Sequence, residues 1–451
     1  MKDTVSKFIY GTGRRIRQVW VYIKSIIKWI IYSTIAGIIC GIVGTAFHIC
    51  VNLATDTFLE YTWLIYFLPV SGCLIVLIYH LNNVYKDEGT DLVITAVRSR
   101  DEVPGNMTFL IFAGTVLTQI CGGSGGREGA ALQIGGSVGA VLGKIMHLSR
   151  NEKRIIIMCG MSALFSALFG TPLAAAVFAM EVVSVGVMNY AAFLPCIVSA
   201  MIAVKISEFS GIEPMAWSIA KIPELGLMNA VTVGIFAVIA SLVAMLFIFA
   251  LKRSGKYFAK YIKNPYLRVI TGGIIVIIMT AIAGDNTYNC AGINIVDMAF
   301  EVPVPVYAFA AKILFTAITI GSGFKGGEII PSFFIGATLG NAFGYLTGIE
   351  PSFMAALGMI CVFCSVVNCP MASVIMSVEL FGSGGILYFA LACAICFIAS
   401  GYYSLYGSQD FVYSKIPITT DGKRDLNMGL QAKKWKEMYW KEYRKRKDKY
   451  E

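Results

Sequence analysis

Charged residues are scarce in this chain. Only 14% of its 451 residues are Asp, Glu, Lys or Arg, whereas soluble globular proteins average about 25%. A soluble fold of this size needs more polar surface than such a composition supplies. The sequence therefore excludes an ordinary water-soluble protein.

Histidine is scarcer still, since the chain has only 3. His48, His80 and His147 are isolated from one another, and no HExxH motif occurs. A membrane-embedded enzyme would need a metal with such ligands, or a nucleophile with a base. We therefore predict no metal, no cofactor and no enzyme activity, with an intramembrane enzyme as a remote alternative. The 12 cysteines include CxxC pairs in apolar segments, and we interpret them as buried packing residues.

Long apolar runs are frequent in the sequence. Residues 29–50, 63–80 and 231–251 are each long enough to cross a hydrocarbon core, and similar runs recur. The net charge of +10 is concentrated at the ends, where residues 1–28 and 415–451 each carry +6. Basic flanks stay on the cytoplasmic side and attract anionic lipids. We predict a multi-pass plasma-membrane protein with both termini cytoplasmic, lipids as partners and no nucleic acid.

The sequence is also duplicated. Matching residues recur at a constant offset of 198: Gly160, Phe165, Pro172, Ala174 and Glu181 correspond to Gly358, Phe363, Pro370, Ala372 and Glu379. Ile134-Gly135 resembles Ile335-Gly336 at an offset of 201, so the second copy carries three extra residues. We predict a basic N-terminal helix (1–28), two membrane repeats (29–210 and 228–406), a connection (211–227) and a basic C-terminal tail (407–451). Membrane proteins with two such halves often bind substrate between them, at discontinuous helices.

A glycine-rich break precedes a helical run in each half. Residues 122–129 precede the run 130–146, and residues 321–328 precede the run 329–343. Glycine lets the backbone turn and approach a ligand closely. A helix start also presents unpaired N–H groups and a partial positive charge, which attract anions. Close helix packing through small residues is the alternative explanation.

Two glutamates favour the anion site. Glu128 and Glu328 lie at or beside the predicted helix starts, and an ionisable residue inside a membrane indicates function. An ionised carboxylate occupies the place of an anion and vacates it when protonated, which couples anion flow to protons. For Glu328, binding to its own helix start or to Lys325 is the structural alternative. Glu181 and Glu379 are interpreted as caps or ion-pair partners at helix ends.

These residues resemble a known family. Gly126-Arg-Glu-Gly129, followed by Gln133-Ile-Gly135, is similar to the gating segment of the CLC chloride channels and proton-coupled anion transporters. Gly327-Glu-Ile-Ile-Pro331 resembles the second pore loop of that family, and the resemblance spans roughly residues 30–410. It implies an all-α membrane fold of two inverted repeats of tilted and broken transmembrane helices. It also implies a homodimer with one pore per subunit and Glu128 as the gating glutamate.

The resemblance further implies where anions bind. The implied anion-binding residues lie on the pore loops and after the last membrane helix. They are Gly89, Thr90, Gly126, Arg127, Gly129, Gly327, Ile329, Ile330, and Tyr406 with Tyr403 as the alternative. The regulatory nucleotide-binding (CBS) pair of many eukaryotic members is not expected, because only about 45 residues follow the membrane part.

Several departures leave the ion and its coupling open. The family's first pore loop reads Gly-Ser-Gly-Ile-Pro, whereas Asp87-Glu-Gly-Thr-Asp91 stands here without the serine. Val182 replaces the inner proton-transfer glutamate of the transporters. Glu328 resembles a glutamate of the fluoride/proton antiporter branch, although Ile330 departs from that branch. We predict transport of chloride or other halides, either in exchange for protons or through a channel. Fluoride/proton antiport is the alternative.

Overall fold

The computed structural model describes residues 2–84, 89–99 and 103–415, and these are mostly helical. The first half contains α1 (Lys2–Glu60), α2 (Leu68–Leu81), α3 (Thr90–Ser99), α4 (Met107–Ile120), α5 (Glu128–Ile145), α6 (Arg150–Phe169), α7 (Pro172–Glu181) and α8 (Phe193–Phe209). The second half contains α9 (Leu227–Tyr261), α10 (Pro265–Ala283), α11 (Ile293–Glu301), α12 (Ala308–Ser322), α13 (Ile329–Thr347), α14 (Pro351–Val367), α15 (Pro370–Phe381) and α16 (Ile386–Ala399). Short 3-10 helices cover Thr62–Phe67 and Tyr190–Ala192.

Many of these helices are suited to a membrane. In the described part of the chain, 6 helical segments are long and apolar enough to cross one. Others are apolar but short, and the 14 residues of α4 extend only about 21 Å. A hydrocarbon core is about 30 Å thick, so such helices end inside it. The predicted multi-pass, all-α fold with broken helices is confirmed.

Matched contacts join the two halves. Glu181, at the end of α7, accepts hydrogen bonds from the N–H groups of Met371 and Ala372 at the start of α15, at 3.2 and 2.8 Å. Glu379, in the last turns of α15, accepts from the equivalent N–H groups of α7, at 2.9 and 2.8 Å. Exchanged contacts of this kind express a two-fold relation, and they require α7 and α15 to run antiparallel. The inverted repeats and the capping role of both glutamates are confirmed.

Glycines also pack helices together within each half. A Cβ at Gly135 of α5 would overlap the carbonyl of Gly160 on α6, and a Cβ at Gly336 of α13 would overlap the carbonyl of Gly358 on α14. Small residues let helix backbones approach this closely in membrane proteins. Close helix packing therefore explains these helical glycines. The glycines of the two glycine-rich breaks are other residues, at 122–129 and 321–328.

Two structural features lie at the ends of the segments that the sequence predicts. α1 runs without interruption from Lys2 to Glu60, so the predicted boundary at residue 28 lies inside a helix. At the other end, β2 (Asp410–Phe411) pairs in parallel with β1 (Ser184–Val185). The predicted tail thus begins as part of the membrane fold. Residues 416–451 lie outside the described part of the chain.

Candidate anion site

The two glycine-rich breaks meet face to face. Gly126 and Gly327 form an isolated antiparallel bridge in which each N–H donates to the other's carbonyl, both at 2.6 Å. A Cβ at Gly327 would lie 3.0 Å from the Glu128 nitrogen and closer still to the Gly129 nitrogen, so only glycine fits. The predicted pair of facing helix starts, one from each half, is confirmed.

Glu128 begins α5 and is completely buried. Its carboxylate folds back to its own helix start and accepts a hydrogen bond from the Arg127 N–H at 3.0 Å. The Arg127 Nε donates to the other carboxylate oxygen at 3.3 Å, and its guanidinium also donates to Asn52 on α1. The carboxylate therefore occupies the end of the helix that would otherwise attract an anion.

Glu328 precedes α13 but does not cap it, since its side chain makes no capping hydrogen bond there. Its Oε2 lies beside the start of α5 instead, 2.9 Å from the position that a Cβ on Gly129 would take. The Glu128 Oε2 similarly lies 2.8 Å from the position of a Cβ on Gly126. The two carboxylates thus converge on one short stretch of backbone, residues 126–129, to which Glu128 is hydrogen-bonded. Binding of Glu328 to its own helix start is not what the structure contains.

The first pore loop reaches the same backbone through Thr90. This residue begins α3 and is buried, and its hydroxyl lies 3.4 Å from the Gly129 carbonyl and 3.1 Å from Nε2 of Gln133. Gly89 makes the turn before it with φ +61°, a conformation that glycine adopts freely. Thr90 therefore connects this loop to α5, since its hydroxyl donates to the Gly129 carbonyl and accepts from Gln133. Residues 87 and 88 of this loop lie outside the described part of the chain.

Tyr406, not Tyr403, faces the interior. Tyr406 is 4% exposed, and its buried hydroxyl has no hydrogen-bond partner among the residues that the structure describes. Tyr403 is 56% exposed, so burial favours Tyr406, and its place in the pathway stays a prediction. Asp91 at the start of α3 accepts from the N–H groups of the two residues after Tyr406, at 3.1 and 2.9 Å, and this fixes the tyrosine. A buried, unpaired hydroxyl is a donor available to an anion.

Two further positions predicted to bind anions lie at the start of α13. Ile329 and Ile330 are the first two residues of α13, and their side chains are buried in the core. The first N–H groups of a helix have no partner within it. Val182 is completely buried beside the capping residue Glu181, and no carboxylate replaces the missing inner glutamate at that position.

Lys312 is a component that sequence reasoning missed. It lies on α12, is completely buried, and donates from Nζ to the carbonyls of Cys290 at 2.8 Å and Tyr288 at 3.2 Å. The Cys290 carbonyl also accepts from the Gly125 N–H at 3.2 Å, so the ammonium group lies directly behind the first glycine-rich break. The sequence does contain a signal for it. Lys312 is a single lysine inside an apolar helical run, and an ionisable residue inside a membrane indicates function.

These groups form an environment suited to a small anion. Two helix starts, the Tyr406 hydroxyl, and the nearby cations Arg127 and Lys312 lie around a place that the Glu128 carboxylate now occupies, with the Glu328 carboxylate beside it. Neutral donors and partial charges hold an anion firmly enough to select it and weakly enough to release it. A carboxylate that leaves would open the same groups to an anion.

Comparisons with known proteins agree with this geometry. A family model described as voltage gated chloride channel matches residues 72–401. A chloride/fluoride channel protein of Pseudomonas syringae pv. tomato is 32% identical over 397 residues, covering 86% of this chain and 88% of that protein. An H(+)/Cl(-) exchange transporter of Vibrio cholerae is 23% identical and covers 77% of this chain and 81% of its own length.

Solved structures give the same result. A CLC-type fluoride/proton antiporter matches with a TM-score of 0.83 and 28% identity, covering 85% of this chain and 98% of that one. A slow cyanobacterial Cl-/H+ antiporter matches with a TM-score of 0.71 and 18% identity, covering 82% and 94%, and supports the fold alone. The paired glycine-rich breaks, their glutamates and the sequence match along most of the chain lead to one conclusion. The chain belongs to the voltage-gated chloride channel (CLC) family.

Proposed function

We propose that this protein moves small halide anions, chloride first among them, across the plasma membrane in exchange for protons. Glu128 acts as the gate and Glu328 as a second protonatable group. The observation that carries this proposal is the convergence of both carboxylates on residues 126–129. An anion can bind that backbone only when a carboxylate leaves it. Protonation favours departure, so anion and proton occupancy are thermodynamically linked.

The proposal includes an assembly and an orientation. The functional unit is a homodimer with one pathway in each subunit, surrounded by lipid. Both termini are cytoplasmic, as the basic residues at the two ends favour. With this orientation, the end of α1 at Glu60 lies toward the outside.

Fluoride/proton antiport is the second candidate function. The observation that favours it is Glu328, whose carboxylate reaches the start of α5 and whose position resembles that of a glutamate in the fluoride branch. The similarity to a solved fluoride/proton antiporter supports it as well. Fluoride is a stronger hydrogen-bond acceptor than chloride, and the unpaired Tyr406 hydroxyl is a donor suited to either ion.

Flux from vesicles distinguishes these possibilities. The purified protein is reconstituted into liposomes loaded with chloride or fluoride, and anion efflux and proton movement are recorded in parallel. An antiporter drives protons against their gradient when only an anion gradient is supplied, whereas a channel does not. The faster anion identifies the substrate. Flux of both halides no greater than that of protein-free vesicles would overturn the proposal.

A further inference from the structure

Tyr406 lies in a short segment that follows α16, residues 404–409, called here the post-α16 segment. The segment is held against the end of α14, because the Leu405 N–H donates to the Val366 carbonyl at 2.9 Å. Both α14 and the segment belong to the second half of the chain. This bond therefore fixes the tyrosine within its own half and leaves its position relative to the first half to other contacts.

Asp91, the second residue of α3, supplies such contacts. One carboxylate oxygen accepts from the Gly407 N–H at 3.1 Å, and the other accepts from the N–H and the hydroxyl of Ser408, at 2.9 and 2.7 Å. In the last turn of α3, the Arg98 guanidinium donates to the Ser408 carbonyl at 2.5 Å. Since α3 lies in the first half, these bonds cross between the halves, and hydrogen bonds to a charged group are the stronger kind.

The residue before Asp91 reaches the helix that carries the gate. The Thr90 hydroxyl donates to the Gly129 carbonyl at 3.4 Å and accepts from Nε2 of Gln133 at 3.1 Å. Gly129 directly follows Glu128 in the first turn of α5. Two consecutive residues of α3 thus bind the first turns of α5 on one side and the post-α16 segment on the other.

The Tyr406 hydroxyl gives this arrangement its significance. It is buried and has no hydrogen-bond partner among the residues that the structure describes. Hydrogen bonds weaken steeply when distance or angle is poor. A hydroxyl can therefore share an anion with the start of α5 only if the two are held at a suitable separation. The bonds of Thr90 and Asp91 link those two parts of the structure through α3.

We propose that Asp91 is a positioning residue for anion binding, which holds the Tyr406 hydroxyl at a fixed distance from the start of α5. This inference rests on the function proposed above, because it takes the hydroxyl and the helix start as parts of one anion site. Asp91 acts through the post-α16 segment and not by contact with the anion. Anion affinity therefore depends on Asp91 only while the Tyr406 hydroxyl is present.

The test measures halide affinity by isothermal titration calorimetry of the full-length protein in detergent, with sodium chloride and sodium fluoride titrated separately. Asp91→Asn keeps the size of the side chain but places an NH₂ group against a backbone N–H. We expect it to weaken halide binding about three- to tenfold, since an anchoring hydrogen bond is lost. Asp297→Asn is the matched control and should bind as wild type, because the exposed Asp297 on α11 accepts from the Trp217 indole at 2.7 Å.

A second background tests whether Asp91 acts through the tyrosine. In Tyr406→Phe, adding Asp91→Asn should change the dissociation constant by less than about twofold, because no hydroxyl remains to be positioned. Ser408→Ala removes only one bond to Asp91 and decides the question if Asp91→Asn does not fold. Its effect should depend on the Tyr406 hydroxyl in the same way.

The outcomes separate this inference from the proposed function. Wild-type halide affinity in both Asp91→Asn and Ser408→Ala would overturn the role of Asp91. Equal weakening with and without the Tyr406 hydroxyl would also overturn it, because that pattern describes a residue that only stabilises the fold. Binding of neither halide by the wild-type protein would instead reject the proposed function itself.

Discussion

Glu181 and Glu379 each cap the helix that carries the other. Replacing either with alanine leaves two N–H groups of the opposite helix without their acceptor. We expect Glu181→Ala and Glu379→Ala each to lower the free energy of unfolding by about 1–3 kcal/mol. The glutamine variants keep one acceptor oxygen and should lose less. Denaturant unfolding of the detergent-purified protein, followed by circular dichroism, measures this.

The two alanine variants serve as controls for each other, because the contacts are equivalent. If Glu181→Gln unfolds like wild type but loses proton coupling in vesicles, Glu181 carries protons and its capping role is secondary. Equal coupling in all four variants supports a structural role.

Removing the charge of Glu128 should remove the pH dependence of anion flux. The amide of Glu128→Gln cannot ionise, and Glu128→Ala leaves the start of α5 without a carboxylate. We expect both variants to conduct anions at a rate that does not change between acidic and neutral vesicles. Anion-selective electrodes measure the efflux. If both variants keep wild-type flux and wild-type coupling, the assignment of the gate is wrong.

Glu328→Gln should separate anion movement from proton movement. Its neutral side chain no longer competes as a charge for residues 126–129 and no longer exchanges a proton. We expect the proton movement driven by an anion gradient to disappear while anion flux remains measurable. Glu301→Gln, at the exposed end of α11, is the control and should keep full coupling. Persistent coupling in Glu328→Gln would reject Glu328 as a proton carrier.

Gly327 should not tolerate even the smallest side chain. A Cβ there would meet backbone nitrogen atoms of α5, which cannot move aside as a flexible side chain would. We expect Gly327→Ala to lower the free energy of unfolding by about 3 kcal/mol and to abolish flux. Gly255→Ala is the matched control, since nothing lies within 4 Å of its Cβ position on α9. That variant should be as stable as wild type, or more stable by up to about 1 kcal/mol.

The two candidate tyrosines can be compared directly. Tyr406→Phe removes the unpaired buried hydroxyl, whereas Tyr403→Phe removes an exposed one. We expect Tyr406→Phe to weaken anion binding by up to about tenfold, as measured by isothermal titration calorimetry, and Tyr403→Phe to have no effect. The opposite result would assign the pathway to Tyr403.

The architecture could be predicted from the sequence because it rests on backbone chemistry. Glycine-rich breaks, apolar run lengths and the duplicated register are patterns of the sequence itself, and they predict two facing helix starts. The bridge between Gly126 and Gly327 follows from those patterns, because related halves meet at equivalent positions.

Side-chain direction could not be predicted in the same way. Glu328 reaches away from its own helix, and only the packing of α5 against the second loop shows where it points. Tyr406 and Tyr403 are separated by three positions, and the contact of Asp91 across more than 300 residues decides between them. The uninterrupted length of α1 was obscured because its first turns are basic and its later turns apolar, although both sets of residues are compatible with one helix.

The Gly126–Gly327 bridge also determines what breaks the symmetry of the pathway. At the offset of 201 that relates these two glycines, Arg127 corresponds to Glu328 and Glu128 corresponds to Ile329. A duplicated backbone alone would present the same groups to an ion from either side of the membrane. Here, the equivalent positions Arg127 and Glu328 carry opposite charges, and Glu128 corresponds to the uncharged Ile329. The two halves of the pathway are therefore alike in backbone and different in charge, and this difference comes from the side chains and not from the fold.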